Sequence, residues 1–141
     1  MSVTVTLYPS FFNDVMSGNI SLSADTIKMM LSTSSYTYSA AHDKRNDITN
    51  EVSATGYTTG GAELGSKTVG TVGAGVFDAA DVSWSASTIT ARYGVLYKSR
   101  GGASSADELI CLIDFGADVS STADTFKAEF NASGIFTLAQ A

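Results

Sequence analysis

Few side chains in this sequence are able to start a reaction. There is one histidine, His42, and one cysteine, Cys111. His42 stands beside Asp43, the kind of pair a general base needs. Adjacent residues on an extended chain point in opposite directions, however, and no nucleophile motif accompanies the pair. The surrounding His42-Asp-Lys-Arg-Asn-Asp reads as a solvated loop or a single helical turn. Cys111 lies in the apolar run Leu109-Ile-Cys-Leu-Ile-Asp-Phe, where a thiol serves as a small hydrophobe. A catalytic thiol needs a nearby base, and His42 belongs to a different, polar segment. With one cysteine there is no internal disulfide.

The carboxylates are no more suggestive. Asp78 and Asp81 flank two alanines, and Asp114 and Asp118 flank Phe-Gly-Ala. Calcium needs about six to eight oxygens, and neither pair has the spacing of an EF-hand loop. Turn capping is the expected role. Gly70-Thr-Val-Gly-Ala-Gly is followed by neither a helix pattern nor Gly-Lys-Ser/Thr, so it is not a phosphate loop. Arg100-Gly-Gly occurs once and reads as a hairpin tip. Trp84, Tyr93 and Tyr97 could line a sugar platform, although aromatics at alternating strand positions more often belong to a core. No enzyme, cofactor or metal ion is expected.

The elements that would carry these residues are strands. Val3, Val5 and Leu7 alternate with Ser2, Thr4 and Thr6, as in a half-buried strand. Pro9 ends it. Ser10 is placed to cap a short helix whose Phe11, Phe12, Val15 and Met16 share a face, closed by Gly18. Ile27, Met29 and Leu31 form one face of a second strand. A polar stretch from Ser32 to Asn50 holds Tyr36 and Tyr38. Lys67–Val76 reads as an edge strand or twisted ribbon, and Val82 and Trp84 share a face. Ile89–Lys98 alternates most strongly, with Ile89, Ala91, Tyr93, Val95 and Tyr97 on one side. Leu109–Phe115 is apolar on both faces and so central. Phe126–Phe130 and Ile135–Leu138 complete the set. The expected fold is all-β: a single domain, residues 1–141, forming an antiparallel jelly-roll-like β-sandwich of about eight strands with one short N-terminal helix. The long connections 32–63 and 99–108 suit Greek-key crossings.

Composition narrows the partners. Formal charge is −6 and the pI about 4.4, which argues against nucleic acid and against an anionic membrane surface. No apolar run approaches the roughly 20 residues of a membrane span, and the N-terminus lacks the basic region of a signal peptide. Charged residues make up 16 %, while Ser and Thr fill about a quarter of the chain. A hydroxyl-rich surface repels itself less than a charged one, and suits a protein that lies against other proteins. Tyrosine favours interfaces. The candidate contact residues are therefore Val3, Val5 and Leu7 in the terminal strand (residues 1–8), Tyr8, Phe11 and Phe12 beside it, and the loop tyrosines Tyr36, Tyr38 and Tyr57.

One stretch, Ile48–Leu64, is too ordered for a linker and too poor in reactive groups for an active site. Asn50-Glu-Val-Ser-Ala-Thr-Gly-Tyr-Thr-Thr-Gly-Gly-Ala-Glu-Leu follows Asp25-Thr-Ile-Lys-Met-Met-Leu. It precedes Phe77-Asp-Ala-Ala-Asp-Val-Ser-Trp, Thr90-Ala-Arg-Tyr-Gly-Val-Leu-Tyr and Leu112-Ile-Asp-Phe-Gly. This order resembles small virion structural proteins of tailed bacteriophages. Their pattern is a strand, then Asn-Glu-Val-x-Gly-x-Gly-Tyr-x-x-Gly-Gly, Trp, Arg-Tyr-x-Val and Asp-x-Gly. The resemblance runs from about residue 10 to the C-terminus; Ala54 stands where a glycine is common. It implies a capsid cement, or decoration, protein on the outside of the phage head, bridging neighbouring major capsid proteins, as a dimer or trimer. The location implied is the virion surface, after the host cytoplasm. A tail or baseplate subunit and a carbohydrate-binding β-sandwich are the alternatives. If the terminal strand pairs with a neighbour, deleting residues 1–8 should abolish capsid binding and leave a folded domain.

Overall fold

A computed structural model describes residues 3–70 and 74–139. The strands are β1 (Thr4–Leu7), β2 (Ile27–Ser32), β3 (Ala62–Glu63), β4 (Thr68–Gly70), β5 (Ala74–Asp78), β6 (Val82–Ser87), β7 (Thr90–Lys98), β8 (Leu109–Ser120), β9 (Asp124–Ala128) and β10 (Phe136–Ala139); the single α-helix, α1, is Pro9–Met16. All strand pairs are antiparallel. The chain is an all-β sandwich with one short N-terminal helix, as the alternation predicts. The described strands number ten, because the Lys67–Val76 ribbon contributes two and the glycine-rich block adds the short β3. Met1, Ser2 and 71–73 of the expected strand segments lie outside the described residues.

The largest sheet has the order β1-β8-β7-β2-β3. β1 lies beside β8 and β2 beside β7, but the connections 32–63 and 99–108, expected to be Greek-key crossings, join sheet neighbours, β2 to β3 and β7 to β8, as long hairpin loops. Two smaller sheets, β10-β5-β4 and β6-β9, complete the fold. One apolar cluster joins all three sheets and the helix through Phe11, Ile27, Met29, Leu31, Phe77, Trp84, Leu96, Ile113 and Phe126. A second cluster, with Tyr8, Met30, Tyr36, Ile48, Val95, Tyr97 and Leu112, packs the 33–48 segment onto the opposite face of the large sheet. β2 is therefore buried on both faces, which its single row of Ile27, Met29 and Leu31 did not predict.

The uniform alternation expected of residues 89–98 is broken. Pairing with β8 shifts between Ala91 and Tyr93, and such a bulge turns the following side chains to the other face. Ala91 consequently faces the first cluster, while Val95 and Tyr97 face the second.

The helix also differs from expectation. Pro9 occupies its first turn and Tyr8 is the capping position, with no side-chain cap. Proline suits this place because its missing N–H would be unbonded there anyway. Ser10 is therefore inside the helix and does not cap it. Of the expected apolar face, Phe11 is buried, whereas Phe12 and Met16 are exposed.

Candidate functional site

The Ile48–Leu64 block is organised by the Glu51 carboxylate. It accepts hydrogen bonds from the Tyr57 hydroxyl at 2.6 Å and the Gly60 N–H at 2.7 Å. The Tyr57 oxygen in turn accepts from the Leu31 N–H at 3.0 Å, and Tyr97 donates to the Gly60 carbonyl at 2.6 Å. Burial pushes the Tyr97 phenol up to about 12, so it remains a donor. Gly61 has φ +79°, and a Cβ there would collide with the Met29 carbonyl. At Gly56 a Cβ would stand 2.7 Å from the Ser87 Cα. The block is a staple that fastens the loop to β2. Tyr57 belongs to that staple, with its hydroxyl committed inward, and is not a free contact residue.

Three more contact candidates are corrected. Tyr8 and Phe11 are fully buried and Tyr36 is 2 % exposed. Tyr8 continues the ladder opposite Ile110, and its side chain falls on the sheet face that the 33–48 segment covers. The Tyr8 and Tyr36 hydroxyls lie 2.9 Å apart, and the Tyr36 hydroxyl is 2.7 Å from His42 Nδ1. This chain of hydrogen bonds lets two phenols sit in an apolar cluster without unpaired polar atoms. It also engages His42 with a tyrosine. Tyr38 is partly buried beside the Tyr8 ring, with centroids 5.3 Å apart.

The other chemical candidates fall into structural places. Cys111 is completely buried, and burial pushes its thiol well above the usual range. Asp78 accepts from the Ala79 N–H, and Asp81 accepts from the Phe130 N–H and pairs with Lys127 at 3.4 Å. Asp114 pairs with Arg92 at 2.8 Å and accepts from the Gly116 N–H. Among the described residues no group of three or more His, Cys, Asp or Glu side chains converges. The supposed sugar platform is not on the surface: Trp84 and Tyr97 are buried, and they belong to different clusters.

The long loops are held together by buried charge, which sequence reasoning missed. Arg45 pairs with Asp107 at 2.8 Å and lies 5.1 Å from the centre of the Tyr97 ring. Arg100 grips Glu108 with two bonds, at 2.9 and 2.6 Å. Asp107 is 1 % and Glu108 4 % exposed. These partners are 62 and 8 residues apart, and no sequence spacing marks the longer pair.

The surface left open is at β1. This strand pairs with β8 in its own sheet and does not extend away as an arm. Among the described residues no strand covers its other side. Val5 is opposite Ile113, so its side chain shares the Ile113 face, at the mouth between the large sheet and the β9–β10 segment. A trough runs there, lined by Val3, Val5, Ile113, Phe115, Phe126 and Phe130. Val3 is 62 % and Val5 38 % exposed, while Leu7 is half-buried and packs into the first cluster. A second apolar hollow lies between α1 and the β10-β5-β4 sheet, lined by Phe11, Val15, Leu22, Val69, Phe136 and Leu138. Phe12, 46 % exposed, and Met16, 87 %, stand on the same helix. The linings of trough and hollow share no residue. The geometry suits protein contact: a free hydrogen-bonding edge beside one apolar groove, and an apolar helix surface elsewhere.

No protein-family model matches this sequence, and neither the curated proteins nor the solved structures contain a significant match to it.

Proposed function

We propose that this chain is a non-enzymatic structural protein of a tailed-phage virion, which binds the outside of the head and bridges neighbouring major capsid proteins. The observation that carries the reading is the pair of separate apolar contact surfaces on one braced core. A bridge needs two surfaces, and their distance apart has to be held by a core that does not yield. Here the Glu51–Tyr57 staple and the Arg45–Asp107 and Arg100–Glu108 pairs supply that bracing. The ordered resemblance to phage virion proteins is what points to the capsid as the partner. A protein that binds only the assembled shell stabilises it by RT ln(1 + [L]/Kd) at each site, about 2.7 kcal/mol at a hundredfold excess over Kd.

The test is cryo-electron microscopy of the virion, with the purified chain added back to expanded heads that lack it. Density across capsid-subunit boundaries, and heads that dissociate at higher temperature, are the expected results. Density confined to the tail would assign the chain to a tail or baseplate subunit. Absence from the particle would overturn the reading.

A further inference from the structure

The edge strands of this fold differ in how they are guarded. β3 is two residues long and carries Glu63, and β4 is three residues long beside Lys67. β6 contains a bulge between Trp84 and Ser87, and β9 carries Asp124 and Lys127. Shortness, bulges and charges are the usual means by which an edge avoids pairing with another chain. β1 and β10, four residues each, carry neither a bulge nor a charge. Of these two, only the β1 segment carries exposed large apolar side chains, Val3 and Val5.

The register settles which backbone groups face outward. The Tyr8 N–H donates to the Ile110 carbonyl. Counted back along the antiparallel ladder, Thr6 opposite Leu112 and Thr4 opposite Asp114 are the pairs that exchange bonds with β8. The N–H and C=O groups of Val3, Val5 and Leu7 therefore point away from the sheet. A second β1, running antiparallel, can use all of them in one register. Val5 then faces Val5 on a twofold axis, and Val3 faces Leu7 on each side. The apolar side chains of both copies fall on one face, beside both troughs.

Charge allows this approach at this place. Two copies at −6 each repel over most of their surface. The lips of the trough, residues 3–7 and 130–135, contain no charged side chain. Glu129, which lines it, pairs at 3.3 Å with Lys127, which also holds Asp81 at 3.4 Å. We propose that a second copy of this chain occupies the edge, through β1–β1 pairing about a twofold axis that joins the two five-stranded sheets into one. The pairing does not depend on the virion reading. Combined with it, the dimer would bridge through its two α1 surfaces in place of the trough and hollow of a single chain, so that the second shell contact becomes intramolecular and gains avidity.

The test is sedimentation equilibrium of the full chain alone, over a wide concentration range, with Val5→Pro and Val5→Lys as variants. Val5→Pro removes an outward N–H that β8 does not use, and proline is tolerated on edge strands. Val5→Lys places like charges together at the twofold axis. Near-ultraviolet circular dichroism confirms that each variant is folded. The expected wild type is a two-chain species that dissociates on dilution, with Kd raised more than about tenfold in both variants. A wild type that stays a single chain at its solubility limit overturns the proposal, as does a dimer that survives both substitutions. A single-chain protein that still binds heads would overturn the pairing and leave the bridging function standing.

Discussion

Gly61 and Tyr57 have opposite requirements at the same staple. Gly61 can carry no side chain, because its φ is +79° and the Met29 carbonyl occupies the Cβ position. Gly61→Ala is expected to destabilise the fold by about 2–4 kcal/mol, through strain and overpacking together, as read by urea unfolding. Tyr57 must keep its hydroxyl. Tyr57→Phe leaves the Leu31 N–H without a partner and the Glu51 carboxylate with only the Gly60 N–H, at an expected cost of about 1–3 kcal/mol in the same measurement. The sequence marks this block as special through its glycines and its tyrosine. It does not reveal that the special role is internal, because the direction of the Tyr57 hydroxyl depends on β2, which is 26 residues away.

At the scale of elements, β1 is part of the large sheet and not a detachable arm. It pairs with β8 over four residues and leads into Tyr8, which is fully buried. Removing residues 1–8 should therefore abolish the cooperative thermal transition followed by circular dichroism, contrary to the expectation of a folded remainder. The loop clamp has a pH signature. Burial pushes the Glu108 carboxyl up, but the Arg100 guanidinium outweighs it and holds the group below its ordinary 4.5. The unfolded chain then binds the proton more readily than the folded one. This stabilisation is present above pH 4.5 and is lost as the pH falls through the folded value. In Arg100→Met the burial effect is opposed only by a backbone hydrogen bond and the charge of Lys44, and the acid-unfolding midpoint should move to higher pH in a circular dichroism titration.

For the whole molecule, the two apolar surfaces make separable predictions. Phe12→Ser with Met16→Ser changes only exposed side chains of α1. It is expected to lower binding to expanded heads at least about tenfold, measured by co-sedimentation, while the thermal midpoint of the free chain stays nearly unchanged. A loss of folding in that variant would place the helix face in the core instead. The buried Cys111 offers a check on the core as a unit: a thiol reagent should label it only after denaturant unfolds the chain.

The sequence by itself determined the fold class. Alternation in Val3–Leu7 and Ile27–Leu31, with glycine and proline at the breaks, is a local consequence of the strand's two-residue period. Cys111 in an apolar run was legible for the same reason. The tertiary structure decided what each aromatic residue does. Tyr8, Phe11, Tyr36 and Tyr57 have the composition of contact residues, but they are enclosed by partners from elsewhere in the chain. The bulge at Ala91/Tyr93, the Arg45–Asp107 pair and the open side of β1 likewise arise from strand order. Periodicity states which side chains share a face. Only the closing of one sheet upon another states whether that face meets protein or water.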